Sequence, residues 1–188
     1  SKKIVSLALS KYPLEILTKN LKKIYVLNDL HFYGVNYGGT VFNDAVYLTN
    51  KGLDKNYTDL YVEQLFHEEF SSVLLRNYAS NINETKWKIC ASDSISYSGT
   101  GVDAIRNGKA GEDFDSLLNE NGFLGEYATS NFENDFNSFA KNIFCPKPEF
   151  WNLINQYERI ECKLNMIIDF YTKIDSKMDL EYFMKWVE

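Results

Sequence analysis

The hydrophobic pattern of this chain passes from helical to strand period and back to helical, and that order limits the fold more than any other feature. Between residues 23 and 50 stand "KIYVLND", "LHFYGV" and "TVFNDAVYLTN", rich in β-branched and aromatic residues and separated by turn signals that include Gly38-Gly39. Such runs predict three strands of a small, mostly antiparallel sheet. A helical stretch, "PLEILTKNLKK", precedes them, with Leu14, Ile16, Leu17 and Leu21 at roughly helical spacing behind Pro13. After residue 58 only helical spacing recurs. A helix capped by Asp59 or Thr58 runs to about Ala79, and "EDFDSLLNEN", "NFENDFNSFAKNIF", "PEFWNLINQYERIECKLNMIIDFYTKI" and "DLEYFMKWV" follow as three or four more, Pro148 fitting the first turn of the long one. Residues 80 to 110 are dense in Asn, Ser, Gly and Asp and read as a long surface connection. Strands early and helices late imply an α+β fold, and 188 residues suffice for one domain, 1–188, with a sizeable core.

Composition narrows the function classes. Hydrophobic residues make up 45% and aromatic residues 15%, so the chain can bury enough surface to fold. A net charge of −6 and a pI near 5.1 offer no broad basic field, which argues against nucleic acid as a partner. Cys90, Cys145 and Cys162 are widely spaced and odd in number, allowing at most one internal bridge and forming no metal knuckle. The apolar run "IVSLAL" is too short for a secretory core, and no later segment approaches a transmembrane span.

The stretch "LYVEQLFHEEFSSVLLRNY", residues 60 to 78, carries the most chemistry. On a helical wheel Val62, Leu65, Phe66 and Val73 share one side, with Glu69 near their centre and Glu68, Ser72 and Tyr61 at the margin. Phe70 and Leu74 add apolar surface on the far side, so burial over most of the circumference is expected. A carboxylate on an apolar face must be paired, hydrogen-bonded, protonated or metal-bound, which leaves Glu69 as either a buried structural acid or a catalytic base. His67 lies on another side and reads as a surface or packing residue, while Gln64 and Glu68, one turn apart, read as a solvated polar edge.

"EEFSSVLLRNY" resembles the "HEF[SG]H" helix of gluzincin zinc peptidases of the anthrax lethal factor type, a group that includes zinc-binding peptidases of bacterial cell envelopes. A second block, "GFLGEYATSNFENDFNSFAKNIF" at 122 to 144, is similar to that family's downstream "Y…TN…EDFAE" pattern, and the resemblance covers residues 13 to 145. In the family, two His ligands four residues apart flank a Glu that acts as general base on zinc-bound water. A later helix supplies a Glu ligand, and a Tyr just before it stabilises the oxyanion. The resemblance places the first His ligand at Glu68, the base at Glu69, the second His ligand at Ser72, the Tyr at Tyr127 and the third ligand at Asn134. Base and oxyanion positions are retained, and all three metal positions are changed. A shifted register, "HEEFS", would make His67 the first ligand and Glu68 the base, ending on Ser71; the Phe70 match and the apolar setting of Glu69 favour the first register. With His31 and His67 the only histidines, no helix can present a zinc-binding His pair.

The resemblance therefore implies a zincin-like fold with a degenerate HExxH motif, no cofactor where the family holds zinc, and a non-catalytic relative. Its cleft, floored by Glu68, Glu69 and Ser72 and edged by a strand from residues 40 to 48, would take an extended peptide or a protein. It also implies a bacterial cell-envelope or secreted location. Two rival readings stay open: an active metal-dependent peptidase with Glu69 as base and loop carboxylates such as Asp93 or Asp103 as added ligands, and a structural or adhesive envelope module. The later block also reads as an ordinary amphipathic helix, Phe132, Phe136, Phe139, Ala140 and Ile143 forming its stripe behind a capping box from Ser130 to Glu133. "SGTG" at 98 to 101 is a turn, with no Lys-Ser/Thr pair to make a phosphate loop.

Overall fold

A computed structural model describes residues 2–50 and 57–187. The chain, read from its sequence as one domain, divides into two compact units, Ser1–Asn77 and Tyr78–Glu188, and is of α+β type.

The first unit contains every strand among the described residues. Helices α1 (Lys2–Ser10) and α2 (Leu14–Asn20) precede β1 (Lys23–Leu27), β2 (His31–Phe32), β3 (Val35–Asn36), β4 (Gly39–Phe42) and β5 (Ala45–Thr49), and α3 (Asp59–Asn77) closes the unit. Helix α1 takes up the "IVSLAL" run and buries Ala8 completely. Pro13 stands at the N-cap of α2, and Ile16 is buried there while Leu14 lies exposed. "LHFYGV" doubles back as the β2–β3 hairpin, and "TVFNDAVYLTN" splits into β4 and β5. Both reversals use paired positive φ angles, Tyr33 at 52° with Gly34 at 79° and Asn43 at 50° with Asp44 at 61°. That is the mirror-image turn whose twist suits a two-residue hairpin. The main sheet has the order β1-β5-β4, with β4–β5 antiparallel and β1–β5 parallel, so β5 is central and β1 and β4 are the edges. The strand anticipated over 40 to 48 is thus an edge strand only as far as Phe42.

Helix α3 lies on the sheet and against α1 and α2. Thr58, rather than Asp59, caps it: the Tyr61 N–H donates to Thr58 Oγ1 at 3.1 Å. Phe66, Phe70 and Val73 are fully buried, as are Val46 of β5 and Ala8 of α1. The Tyr12 ring meets Phe70 edge to face at 5.0 Å between centroids.

The second unit is helical among the described residues. A 3₁₀ turn (Ala79–Asn81) leads to α4 (Glu84–Ile89), α5 (Gly101–Arg106), α6 (Ser116–Glu120), a second 3₁₀ turn (Tyr127–Thr129), α7 (Phe132–Phe144), α8 (Phe150–Gln156), α9 (Glu158–Ile174) and α10 (Leu180–Met184). The stretch expected to be a surface connection, 80 to 110, therefore contains two short helices, and Trp87 of α4 is completely buried. The long helix expected from residue 148 breaks at Tyr157, whose extended backbone ends α8 and begins α9, and Pro148 lies outside both. Phe136, Phe139, Phe144, Phe150, Phe170 and Phe183 are all fully buried, packed mostly edge to face, as Phe144 is against Phe183 at 5.1 Å. A disulfide between Cys90 and Cys162 joins the end of α4 to α9, and Cys145 is a buried free thiol.

Candidate functional site

Three of the positions singled out by sequence, Glu68, Glu69 and Ser72, follow one another on α3 in the first unit. Glu68 and Ser72 are each 7% exposed, and Glu69 is half-buried. Gly39 of the edge strand explains how Glu69 is accommodated: a Cβ there would lie 2.8 Å from both Cγ and Oε1 of Glu69. The wheel placed Glu69 at the apolar centre and Gln64 and Glu68 on a solvated edge. The structure reverses this, since Gln64 is 2% exposed and Glu68 is more deeply buried than Glu69.

His67 is buried completely and works as a packing residue. Its Nδ1 lies 3.0 Å from the Tyr12 hydroxyl, and its Nε2 stands 3.5 Å from Glu63 Oε1, which Lys11 Nζ meets at 2.6 Å. In the neutral ring Tyr12 donates to Nδ1 and the Nε2–H points at Glu63. Burial pushes the imidazole down to about 4, with the Glu63 carboxylate opposing. Burial raises Glu63 as well, but bonds from His67 and Lys11 outweigh it and leave the carboxyl below its ordinary range. Both ring nitrogens thus face side chains of the first unit, Tyr12 and Glu63.

Tyr127 and Asn134 belong to the second unit. Both are half-buried, and both adjoin Gly101: a Cβ on Gly101 would stand 2.5 Å from the Tyr127 hydroxyl oxygen and 2.8 Å from Asn134 Nδ2. The "SGTG" segment is held there by main-chain bonds, Ser98 N–H to Thr129 O at 3.0 Å and Gly99 N–H to Ser130 O at 2.9 Å. Asn134 Nδ2 donates to Ser130 Oγ at 2.8 Å. The N-cap of α7 is Asn131, accepting from the Asn134 N–H at 2.8 Å, and Ser130 instead donates to Tyr127 O. Of the loop carboxylates, Asp103 accepts from Thr100 Oγ1 at 2.7 Å within the α5 cap, and Asp93 is exposed.

The side chains at the three positions that the resemblance assigns as ligands are therefore one carboxylate, one hydroxyl and one amide whose nitrogen is engaged locally. Zinc sites draw on thiolate, imidazole and carboxylate, so this set does not fit zinc. Among the described residues no group of three or more His, Cys, Asp and Glu side chains is gathered closely enough to hold a metal ion.

The most heavily coordinated carboxylate escaped the sequence reading. Asp135, next to Asn134, is fully buried, and its Oδ2 accepts from Lys163 Nζ at 2.6 Å, Tyr97 Oη at 2.7 Å and Trp87 Nε1 at 2.8 Å. Lys163 is equally buried and lies 4.0 Å from the Phe123 ring centroid. Burial raises the Asp135 carboxyl and lowers the Lys163 amine, while their mutual attraction opposes both effects. The sequence carries only a weak signal for it: at about 100° per residue Asp135 lies roughly 40° beyond Phe139, at the margin of the aromatic stripe and not within it as Glu69 lies within its own.

No protein-family model matches the chain, and no curated protein matches it. Among solved structures, it is similar to a crystal structure from Bacteroides caccae described as a "putative zinc-binding metallo-peptidase", at 17% identity and a TM-score of 0.59, covering 97% of this chain and 75% of that one. The helix of Glu68 and Glu69 and the helical unit that follows thus belong to a metallopeptidase-like fold.

Proposed function

We propose that this chain is a non-catalytic relative of lethal-factor-type metallopeptidases, a single zincin-like domain over 1–188 with a degenerate HExxH motif, which binds an extended peptide or protein segment. The observation that carries this reading is the donor set: Glu68, Ser72 and Asn134 stand where the family resemblance places His, His and Glu. Retention of Glu69 and Tyr127 supports descent from a working site, because neither serves peptide hydrolysis without the metal they attend. The peptide would add as a strand to the open edge of β4, whose Gly39 and Val41 direct their backbone groups away from β5. The Thr49 N–H to Gly38 O bond (2.8 Å) fixes that alternation. The disulfide between Cys90 and Cys162 supports an envelope or secreted location, since such bonds persist in oxidising compartments.

Metal analysis after equilibration with zinc and dialysis tests the first half, with Glu68→Ala and Glu69→Gln variants alongside. Far less than one zinc per chain is expected in all three proteins, with no cleavage of a peptide library. Stoichiometric zinc lost in Glu68→Ala, together with chelator-sensitive cleavage lost in Glu69→Gln, would sink the proposal. For the second half, Val41→Pro removes an outward N–H without touching the β5 ladder, and should abolish peptide capture while leaving the fold intact.

A further inference from the structure

Two Asn-Gly steps stand in this sequence, Asn107-Gly108 and Asn121-Gly122, and both end a helix in the same way. Asn107 closes α5 with φ −90° and ψ 5°, Asn121 closes α6 with φ −92° and ψ 1°, and the glycines follow at φ 69° and 89°. Each ending carries the same pair of main-chain bonds. At α5 they run from the Gly108 N–H to Ile105 O (3.2 Å) and from the Lys109 N–H to Ala104 O (2.8 Å). At α6 they run from the Gly122 N–H to Asn119 O (3.0 Å) and from the Phe123 N–H to Leu118 O (2.9 Å). The side chains differ. Asn121 Nδ2 donates to Leu117 O at 2.6 Å, and its Oδ1 accepts from Ser94 Oγ at 2.8 Å. Gly122 is buried, and a Cβ there would stand 3.0 Å from Cys90 O. Asn107, Gly108 and Lys109 are all exposed, the Asn107 side chain makes no hydrogen bond among the described residues, and a Cβ on Gly108 would meet nothing within 4 Å.

We propose that Asn107 is a site of spontaneous covalent modification, an asparagine that cyclises onto the Gly108 nitrogen and passes to isoaspartate and aspartate, while Asn121 is held unreactive. Glycine favours this step because it sets no side chain beside the attacking nitrogen and leaves the backbone free to turn. Hydroxide takes the Gly108 N–H proton, and the nitrogen attacks Asn107 Cγ. The Cγ–Nδ2 bond breaks, and ammonia leaves with a proton supplied by water. One water then opens the cyclic imide, at Cγ to give aspartate or at the main-chain carbonyl to give isoaspartate, whose chain runs through Cγ. The attack requires Asn107 to turn away from ψ 5° and Gly108 to release its 3.2 Å bond to Ile105, the longest of the four. Open space around Gly108 permits that turn. At Asn121 the same turn must also break two side-chain bonds and displace a glycine seated against the Cys90 carbonyl. Either product sets a carboxylate at the C-terminal end of α5, which the helix dipole opposes. Isoaspartate also adds a main-chain carbon between the partners of the Lys109–Ala104 bond. The helix so disturbed is the one whose Gly101 seats against the Tyr127 hydroxyl. None of this rests on the proposed peptide site.

Incubation of the folded full chain at mildly alkaline pH, followed by chymotryptic peptide mass analysis, tests the proposal. The Asn107 peptide should gain the mass that separates a carboxyl from an amide, and faster as the pH is raised. Asn121 should convert more slowly by roughly tenfold or more, because its two side-chain hydrogen bonds must be lost first. An isoaspartyl methyltransferase with a labelled methyl donor, used as the probe, should mark the Asn107 peptide, and Asn107→Gln should remove that label. Peptides cut from the chain before incubation should convert at similar rates at both sites, which assigns the difference to the fold. Equal rates at the two sites in the folded chain would overturn the proposal, as would an Asn107 that stays intact in the folded chain while its free peptide converts.

Discussion

At the scale of single residues, the buried ionisable groups outside the expected site dominate. His67 resists protonation down to about pH 4, whereas an unfolded histidine takes up its proton near 6.5. Between those values the unfolded chain binds more protons, so stability is fully present above 6.5 and falls as the pH drops toward 4, by about 3 kcal/mol. Urea unfolding at pH 7.5, 6 and 5 should show this slope, and His67→Gln should flatten it. Glu63 adds its own loss only at lower pH, because its folded carboxyl titrates below the ordinary range. Asp135 predicts a different signature. Asp135→Asn leaves Lys163 buried without its counter-charge and should cost about 3–5 kcal/mol in the same assay, whereas Asp135→Asn combined with Lys163→Met should recover part of that loss. An acid set against apolar side chains needs a partner, and the two acids meet that need differently: Gly39 accommodates Glu69 half-buried, whereas three donors converge on Asp135. The donors Trp87, Tyr97 and Lys163 come from three separate stretches of chain, and no periodicity links them.

At the scale of elements, what was legible depended on length. The helices α3 and α7 were readable because their apolar spacing persists over several turns and begins at recognisable caps. The α8–α9 break was not, since buried Phe150, Leu153, Ile160 and Leu164 keep helical spacing through Tyr157 and no Gly or Pro marks the change. The hairpins were hidden for another reason: Asn43-Asp44 and Tyr33-Gly34 turn within runs whose β-branched and aromatic residues look continuous. Pairing of the cysteines could not be derived from their spacing, because the bridge depends on α4 meeting α9. Its energetic weight is nevertheless calculable. Closing a loop with a sequence separation of 72 restricts the unfolded chain by about 4 kcal/mol in the loop-entropy model. Cys90→Ala with Cys162→Ala should lower the urea-unfolding free energy by that order, and reductant should change the wild type but not the double variant.

At the scale of the whole molecule, the α+β class followed from the order of the patterns, and the metallopeptidase-like fold from two short blocks that survive at low identity. The residues at 68, 72 and 134 that the resemblance sets against metal ligands are legible in the sequence, but the tight seat of "SGTG" against Tyr127 is not, because a glycine's value there depends on what stands 2.5 Å away. No helix among the described residues is long and apolar enough to cross a membrane. The buried indole of Trp87 also has an optical consequence. All three tryptophans, Trp87, Trp151 and Trp186, belong to the second unit, so ultraviolet emission excited through indole follows Tyr78–Glu188 alone, while far-ultraviolet dichroism follows both units. Superimposable melting curves from the two signals are expected of one cooperative body. Separated curves would give each unit its own midpoint, measured on the unlabelled chain with no probe other than the tryptophans it already carries.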